Sequence, residues 1–392
     1  MEGFYGTPFS AARRRALIGL LSFVPGAAYV YAPKDDPWHR LEWRERYPRR
    51  AWAGLAGAMS EARRRGVRFV FGLSPWEFHD DEHRKASEKL RAAVEEGAGG
   101  VSLLFDDIEH LPCRRLAERQ ASFALKAAGQ LGIPVMICPS VYCESQAEAP
   151  GAADYLEALS ALIPREWGVF WTGDDVISRK LDSASLARAE ALLGRLPVIW
   201  DNLLADDYTI RRVFLGALDE RPVGSSDYFL NPSGRFRAAW EQVRALVSAA
   251  GAEPPPSPVE CPGLNLLKGL HWNPWECGEA GREAISILSS AVGDAEPGDC
   301  AARLDEMHTH LEELLELLSG TDGGLELAPQ VRDTARLLSI VRRCLAEPPG
   351  TRSAALRSLL MERLPYEHPL AEAVRLMACG GGEGSEGGRC WR

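Results

Sequence analysis

The stretch VSLLFDDI, from Val101 to Ile108, is an apolar run that ends in two adjacent carboxylates. A continuous apolar run is typical of a strand that is buried on both faces of a parallel sheet. Similar runs recur roughly every 30–40 residues, which is the repeat expected of strand–helix units. They are Glu2–Tyr5, Ala28–Ala32, Val67–Gly72, Pro134–Cys138, Trp167–Trp171, Pro197–Trp200 and Asp227–Leu230.

Stretches with helical spacing of apolar residues separate these runs, for example Ala51–Arg65 and Leu116–Leu131. Eight strands that alternate with helices predict an α/β fold, specifically a (β/α)₈ TIM barrel. An open doubly wound sheet is the alternative. No GxGxxG or P-loop motif follows any run, and this disfavours the open sheet.

The region after the eighth run has a different composition. The stretch GAEPPPSP is typical of a linker. Beyond it, Met307–Leu318 and Gln330–Leu345 have apolar residues at helical spacing, and this helical region could provide a homodimer contact. The predicted organisation is a barrel at 1–250, a Pro-rich linker at 251–258, an all-helical C-terminal domain at 259–377 and a flexible Gly-rich tail at 378–392.

The composition excludes several classes of protein. The 392 residues are 46% hydrophobic and 26% charged, which is ordinary for a globular chain. With 45 Lys and Arg against 55 Asp and Glu, the net charge is −10, so binding to nucleic acid or to anionic membranes is not expected. Nine scattered cysteines without a CxxC pair indicate free thiols and a cytoplasmic location. The segment Arg13–Ala28 resembles an export signal, but we interpret it as a barrel helix that ends at Pro-Gly.

Polar residues follow the predicted strands where each strand ends, as in barrel active sites. Asp106 and Asp107 are the strongest candidates. Successive side chains of a strand point to opposite faces, so both carboxylates could reach one site only where the strand gives way to a loop. Close like charges would raise at least one pKa, as a general acid requires. A metal site or a helix N-cap is the alternative.

Two further strand ends suit a polyhydroxylated ligand. Lys34 could donate hydrogen bonds, although a surface ion pair is the alternative. Trp200 and Asn202 combine a flat ring with an amide, which suits a sugar, although a Trp at this point is otherwise a core residue. The cluster His79–His83 resembles metal ligands, but we interpret it as a helix start and predict no metal site.

Taken together, the motifs resemble those of the family-84 glycoside hydrolases, the protein O-GlcNAcases. The segments that carry the resemblance stand in the family's order. They are Glu2-Gly3-Phe4-Tyr5-Gly6, Tyr31-Ala32-Pro33-Lys34-Asp35-Asp36, Gly72-Leu73-Ser74-Pro75, Phe105-Asp106-Asp107-Ile108, Cys138-Pro139-Ser140-Val141-Tyr142-Cys143, Trp171-Thr172-Gly173, Trp200-Asp201-Asn202, Ala205-Asp206-Asp207-Tyr208 and Phe214-Leu215-Gly216.

The resemblance implies hydrolysis of β-linked N-acetylglucosamine with retention of configuration and without a metal or cofactor. The substrate's acetamido oxygen would attack the anomeric carbon and form an oxazoline, as in other substrate-assisted families. By position, Asp106 would orient the acetamido N–H, Asp107 would act as acid and then base, and Tyr142 would bond near the acetamido group. The resemblance also implies residues that hold or wall the sugar, namely Gly3, Phe4, Lys34, Trp200, Asn202, Asp207 and Asn231.

Three readings of the function follow from the resemblance. The first is a β-N-acetylglucosaminidase that removes O-linked GlcNAc from proteins, with a GlcNAc-bearing glycoprotein or glycoside as its substrate. The second is the same chemistry on glycan chains such as hyaluronan, and the third is a catalytically silent GlcNAc-binding protein. The family's first strand normally begins before the segment at Glu2, so a short first strand is expected here. Asp206 also differs from the Asn that is common in the family.

Overall fold

The computed structural model describes residues 1–107, 111–209, 211–225, 227–292, 297–352 and 354–356. The chain divides into two compact units. The sheet unit comprises Met1–Leu203, Leu218–Gly234 and Val243–Pro254. The helical unit comprises Leu204–Ala217, Arg235–Gln242 and the chain from Pro255.

The sheet unit contains seven parallel strands that pair in the order of the chain, so the predicted α/β fold with a parallel sheet is confirmed. Each strand lies within one or two residues of a predicted run, because buried parallel strands leave an unambiguous apolar pattern. The strands are β1 (Ala28–Tyr31), β2 (Arg68–Leu73), β3 (Gly100–Leu104), β4 (Val135–Cys138), β5 (Gly168–Trp171), β6 (Val198–Asp201) and β7 (Tyr228–Leu230).

Helices connect most of these strands. The segment that resembles an export signal forms a helix, and its first turn is capped by the Ser10 hydroxyl, which accepts from the Arg13 N–H. The connection from β6 to β7 contains no helix within residues 202–209, 211–225 and 227. The helices are α1 (Ala11–Leu21), α2 (Arg49–Arg64), α3 (His83–Glu95), α4 (Arg114–Ala128), α5 (Glu144–Ala147), α6 (Ala152–Leu162), α7 (Ser183–Leu193) and α8 (Phe236–Ala249), whose residues belong partly to each unit.

The predicted strand Glu2–Tyr5 is wrong, because this segment forms only an isolated parallel bridge between Glu2 and Tyr31. On the β1 side, the Glu2 N–H donates to Val30 O at 2.8 Å, and the Glu2 carbonyl accepts from Ala32 N at 3.0 Å. On the β7 side, Met1 N donates to Leu230 O at 2.7 Å. The next bond on that side goes to the side chain of Asn231 rather than to the main chain, which interrupts a regular ladder.

The side chain of Glu2 anchors the segment Met1–Phe4, which we call the edge segment, to helix α1 and strand β1. Glu2 is fully buried and accepts two bonds from the Arg14 guanidinium, at 2.7 and 2.9 Å. The Tyr29 hydroxyl donates to the same carboxylate at 2.6 Å. A buried carboxylate is tolerated only when it is paired and hydrogen-bonded, and here α1 and β1 supply both.

Apolar side chains of the strands form one buried cluster in the sheet unit, and it ends where the polar residues begin. Because all strands are parallel, their carboxyl ends lie at the same edge of the sheet. The residues that follow β1, β3, β4, β6 and β7 are therefore brought together there. The cluster consists of Met1, Val30, Ala32, Val70, Leu104, Cys138, Tyr142, Phe170, Val198 and Trp200.

The helical unit is built around a second apolar cluster, which includes Leu264, Leu288, Leu311 and Leu338. Its main helices are α9 (Pro262–Leu270), α10 (Glu279–Val292), α11 (Pro297–Ser319) and α12 (Ala328–Cys344). The two predicted helical runs lie within α11 and α12, give or take one residue. The predicted domain boundaries stay predictions, and residues 357–377 and the tail 378–392 lie outside the described residues. No described helix is long and apolar enough to cross a membrane.

Candidate active site

Three strand ends place charged and phenolic groups in contact. Lys34 follows β1, the pair Asp106 and Asp107 follows β3, and Tyr142 follows β4. The Lys34 ammonium donates to Asp106 Oδ2 and lies 3.7 Å from Asp107 Oδ2. The Tyr142 hydroxyl donates to Asp107 Oδ1 at 2.8 Å. We call Lys34, Asp106 and Asp107 the charged side of the site.

One oxygen of Asp106 is unusual. Asp106 is 4% exposed, and its Oδ1 has no hydrogen-bond partner within the described part of the chain. An unsatisfied buried acceptor costs about 1–3 kcal/mol, and a partner that arrives with a ligand would recover this energy. The site therefore offers a fixed acceptor for an incoming N–H or O–H group.

The backbone at Asp107 explains how two neighbouring carboxylates reach one site. Asp107 has a φ of 54°, in the left-handed region that side chains other than Asn, Asp and Gly rarely adopt. This turn at the end of β3 replaces the alternation of a strand. Its carboxylate also accepts the Tyr5 hydroxyl at Oδ2, at 2.8 Å. This set of contacts stabilises the unfavourable backbone conformation.

The two carboxyls have opposite pKa shifts. Burial raises the pKa of Asp106, and the adjacent Lys34 ammonium opposes this only in part. Burial acts in the same direction at Asp107, but Lys34 and the hydroxyls of Tyr5 and Tyr142 outweigh it and lower the pKa. Burial is the largest cause of the rise at Asp106, and the charge of Asp107 adds to it, as expected of close carboxylates.

A second group of residues forms a neutral network, which we call the amide side and define as Gly3, Trp200, Asn202 and Asn231. Asn202 Oδ1 accepts from Trp200 Nε1 at 2.9 Å and from Asn231 Nδ2 at 3.0 Å. Asn231 Oδ1 accepts the Gly3 N–H at 3.0 Å. The Lys34 ammonium lies 5.4 Å from the centre of a Trp200 ring, so this ring adjoins both sides.

The edge segment contributes to the site through its backbone. A Cβ at Gly3 would lie 2.5 Å from Trp200 Cζ2, so only glycine allows this approach. The Phe4 ring is buried against Phe9, with ring centres 5.0 Å apart, while its carbonyl accepts the Lys34 N–H at 3.1 Å. Phe4 is therefore placed to act through its main chain and not through its ring.

One predicted sugar-binding residue lies in the helical unit. Asp207 is exposed and belongs to the segment Leu204–Ala217, and its place at the sugar stays a prediction. In the same segment, Asp206 is buried and pairs with Arg235. Ile108 of the quoted motif lies outside the described residues.

The cluster His79–His83 behaves as a helix start. Helix α3 begins at His83, Glu82 pairs with Arg44, and Asp80 pairs with Arg119. No group of three or more His, Cys, Asp or Glu side chains suitable for a metal occurs in the ranges that the structure describes.

Two residues at the site were not predicted from the sequence. Tyr5 lies in a motif that was quoted, but no role was assigned to its hydroxyl. Arg40 donates to this hydroxyl at 2.9 Å and to the main-chain carbonyl of Asp107 at 3.2 Å. Its position six residues after Lys34 gives no periodic signal, because the intervening chain is a series of turns.

Comparison with known proteins is consistent with a sugar-processing site. A sequence model of the beta-N-acetylglucosaminidase family matches residues 1–245. Protein O-GlcNAcase from Rattus norvegicus and its counterpart from Mus musculus are each 30% identical over 270 residues. The match covers 63% of this chain but 29% of each relative, so the chain spans less than a third of their length.

The fold has a close counterpart among solved structures. A mutant of O-GlcNAc hydrolase from Thermobaculum terrenum superimposes with a TM-score of 0.78 at 19% sequence identity. The superposition covers 96% of this chain and 92% of the other. At this identity the likeness concerns the fold.

Proposed function

Because the chain belongs to the beta-N-acetylglucosaminidase family of glycoside hydrolases, we propose that it removes O-linked N-acetylglucosamine from proteins. The reaction is hydrolysis with retention of configuration, in which the substrate's own acetamido group is the nucleophile. We assign the fold as a (β/α)₈ barrel in which Met1–Phe4 takes the place of the remaining strand. The bonds from this segment to β1 and to Leu230 support that assignment.

The observation that carries the proposal is the unpartnered Oδ1 of Asp106 beside an acid with two hydroxyl partners. An acetamido N–H is a donor of the kind that this oxygen lacks. When it donates to Asp106, the acetamido carbonyl becomes more nucleophilic, and the amide is held close to the anomeric carbon. Asp107 lies at the adjacent position, where it can reach the leaving oxygen.

The reaction then proceeds in two steps. In the first, the acetamido oxygen bonds to the anomeric carbon, the glycosidic bond breaks, and Asp107 gives its proton to the leaving oxygen. The amide proton passes to the Asp106 carboxylate, so the product of this step is a neutral oxazoline. In the second, the Asp107 carboxylate takes a proton from water, the water oxygen bonds to the anomeric carbon, Asp106 returns its proton to the nitrogen, and the oxazoline opens. Two inversions give net retention.

The order of the two carboxyl pKa values bears on this mechanism. The first step requires an ionised Asp106 and a protonated Asp107, although Asp106 has the higher pKa of the two in the free site. A bond from the acetamido N–H would stabilise the Asp106 carboxylate and lower its pKa, which favours the proton on Asp107.

The remaining assignments stay predictions within this proposal. Trp200 would form a wall of the sugar pocket, and Tyr142 would hydrogen-bond near the acetamide. Six further residues would hold the sugar. The chemistry needs positioned acids and fixed donors and therefore calls for no metal or cofactor. We predict a GlcNAc-bearing glycoprotein as the substrate partner and a homodimer through the helical region. The predicted location is cytoplasmic. The six residues are Gly3, Phe4, Lys34, Asn202, Asp207 and Asn231.

The test is release of fluorophore from a β-N-acetylglucosaminide by the wild-type protein and by Asp107→Asn. Loss of the acid should lower the rate by about 10²–10⁴-fold on a glycoside with a poor leaving group. The loss should be much smaller on an aryl glycoside, whose leaving group departs without protonation.

Equal losses on both substrates would remove the acid role from Asp107. A folded wild-type protein without activity on any β-N-acetylglucosaminide would support a silent binding protein instead. Activity on hyaluronan fragments but not on an O-GlcNAc-modified protein would point to the glycan-chain reading. A thiazoline analogue of the oxazoline should inhibit, and full activity in its presence would argue for a protein nucleophile.

A further inference from the structure

Arg40 makes two contacts that converge on Asp107 from different directions. One nitrogen of its guanidinium donates to the Tyr5 hydroxyl at 2.9 Å. Another donates to the main-chain carbonyl of Asp107 at 3.2 Å. The side chain is 7% exposed and stacks on Trp76, 4.6 Å from the ring centre. A planar guanidinium that is packed in this way holds both partners in fixed directions.

The bond to Tyr5 determines where the phenolic proton goes. A tyrosine hydroxyl has one proton to donate, and its oxygen can accept at the same time. Arg40 has no acceptor, so Tyr5 must accept from it. The Tyr5 proton is then directed to Asp107 Oδ2, which lies 2.8 Å from the hydroxyl oxygen. Without Arg40, the hydroxyl could rotate its proton toward water instead, because Tyr5 is partly exposed.

The second bond acts on the backbone. The left-handed φ of Asp107 is uncommon for a residue with a Cβ and needs support from its surroundings. A charge-assisted bond to the carbonyl of the same residue is such a support. Arg40 thus contacts the one peptide whose conformation brings the Asp107 carboxylate alongside that of Asp106.

We propose that Arg40 is a positioning residue for Asp107: it directs the Tyr5 proton onto the carboxylate and holds the turn that aims it. This inference rests on the proposed function, in which Asp107 is the acid and base. By favouring the ionised form, the Tyr5 bond and the Arg40 charge make Asp107 a stronger acid toward the leaving oxygen, which is the step that kcat/KM reports. The groups that face the Asp107 carboxyl are Lys34, Arg40, Tyr5, Tyr142 and Asp106.

The test is the pH profile of kcat/KM on an alkyl β-N-acetylglucosaminide, whose leaving group requires protonation, for Arg40→Met, Tyr5→Phe and the double variant. Losing a donor to the ionised carboxylate makes Asp107 hold its proton to higher pH. The acid-side limb belongs to Asp107, whose pKa is the lower of the pair. It should move up by on the order of one pH unit in each single variant. The double variant should move by less than the sum of the two single shifts, because part of the effect of Arg40 passes through Tyr5.

Arg44→Met is the matched control. This arginine lies on the same segment, stacks on Trp43 and donates to the Glu77 carbonyl at 2.7 Å, but it does not touch Tyr5 or Asp107. Arg44→Met should leave the acid-side and the alkaline-side limbs of the kcat/KM profile at the wild-type pH. Arg40→Gln gives the same comparison if Arg40→Met does not fold. A uniform loss of rate without movement of the limb, or shifts that add in the double variant, would overturn the positioning role.

The proposed function can fail separately from this inference. A wild-type protein that hydrolyses nothing would sink the function. The titration of Asp107 can then be followed without turnover by the carboxyl ¹³C shift, assigned by its absence in Asp107→Asn. The inference expects this signal to titrate at higher pH in Arg40→Met than in the wild type. Coincident titration curves would overturn it.

Discussion

The charged side and the amide side of the site lie at the same edge of one sheet, yet they are built on different physical principles. On the charged side, burial, Lys34 and two hydroxyl donors act on two carboxyls whose protons can move. On the amide side, Asn202 and Asn231 are neutral at every pH and belong to a network with bonds of 2.9–3.0 Å. Under the proposed function, this difference predicts a division of work, in which the charged side performs the proton transfers and the amide side holds the substrate.

Among variants measured on an aryl glycoside, the largest expected effect is that of Asp106→Asn. The amide keeps the shape of the side chain but removes the negative charge that polarises the acetamide, and it leaves the buried Lys34 ammonium without its partner. We expect kcat/KM to fall by about 10²–10³-fold. Steady-state kinetics on an aryl β-N-acetylglucosaminide will measure it.

Asp80→Ala is the control for Asp106→Asn, because Asp80 is an exposed carboxylate that pairs only with Arg119 on the surface. It should retain wild-type kinetics. If Asp80→Ala is as inactive as Asp106→Asn, the chemistry lies at the His79–His83 cluster, and the charged side is misassigned.

The next effect is a shift of the whole pH profile in Lys34→Met. The ammonium favours the ionised form of both carboxyls, so its loss raises both pKa values, and each group stays protonated to higher pH. We expect both limbs of the kcat/KM profile to move up by about 1–2 units. A loss of rate with both limbs unmoved would mean that Lys34 serves only to bind substrate.

Much of the site could be predicted because strand ends are marked in the sequence. A buried parallel strand gives an apolar run, and the polar residues after it must lie at one edge of the sheet. This reasoning placed Lys34, Asp106 and Tyr142 at one edge, and their side chains meet there around Asp107. The predicted strand at Glu2 forms only a bridge, because the main-chain bond of Met1 to Leu230 is followed by a side-chain bond to Asn231, which the sequence pattern does not reveal.

Other features of the site depend on contacts between distant residues. The left-handed turn at Asp107 is a backbone choice that its surroundings impose, and no local signal announces it. Arg40 reaches Asp107 across 67 positions of the chain. The order of the two carboxyl pKa values depends on burial and on hydroxyl donors. Neither can be deduced from two adjacent Asp residues in the sequence.

A smaller effect is expected on the amide side, for Gly3→Ala. The added methyl would lie 2.5 Å from Trp200 and 3.2 Å from Asn231 Oδ1, so the edge segment or the ring must shift. Overpacking of this kind costs about 1–3 kcal/mol. We expect KM to rise about tenfold while the limbs of the pH profile stay in place, because no titrating group is touched.

The control for Gly3→Ala is Gly54→Ala on helix α2. There a Cβ would lie 3.4 Å from the Ala11 Cβ, which is an ordinary contact. Its KM should match the wild type. A displaced limb in Gly3→Ala would break the division between the two sides, because it would mean that the edge segment also sets the protonation of the carboxyls.

The smallest effect should be that of Trp200→Phe, which keeps an aromatic ring but removes the Nε1–H that donates to Asn202 Oδ1. This oxygen retains its bond from Asn231, so no buried acceptor is left unsatisfied, and only one net hydrogen bond is lost. At about 0.5–1.5 kcal/mol, KM should rise by about two- to tenfold. Trp52→Phe on α2, which loses a weak 3.4 Å bond to Glu96, should not change KM.

The ring of Trp200 also lies 5.4 Å from the Lys34 ammonium, so Trp200→Phe tests where the two sides meet. An unmoved pH profile would keep them independent, whereas a shift comparable to that of Lys34→Met would show that the ring helps to set the charge of the acid pair.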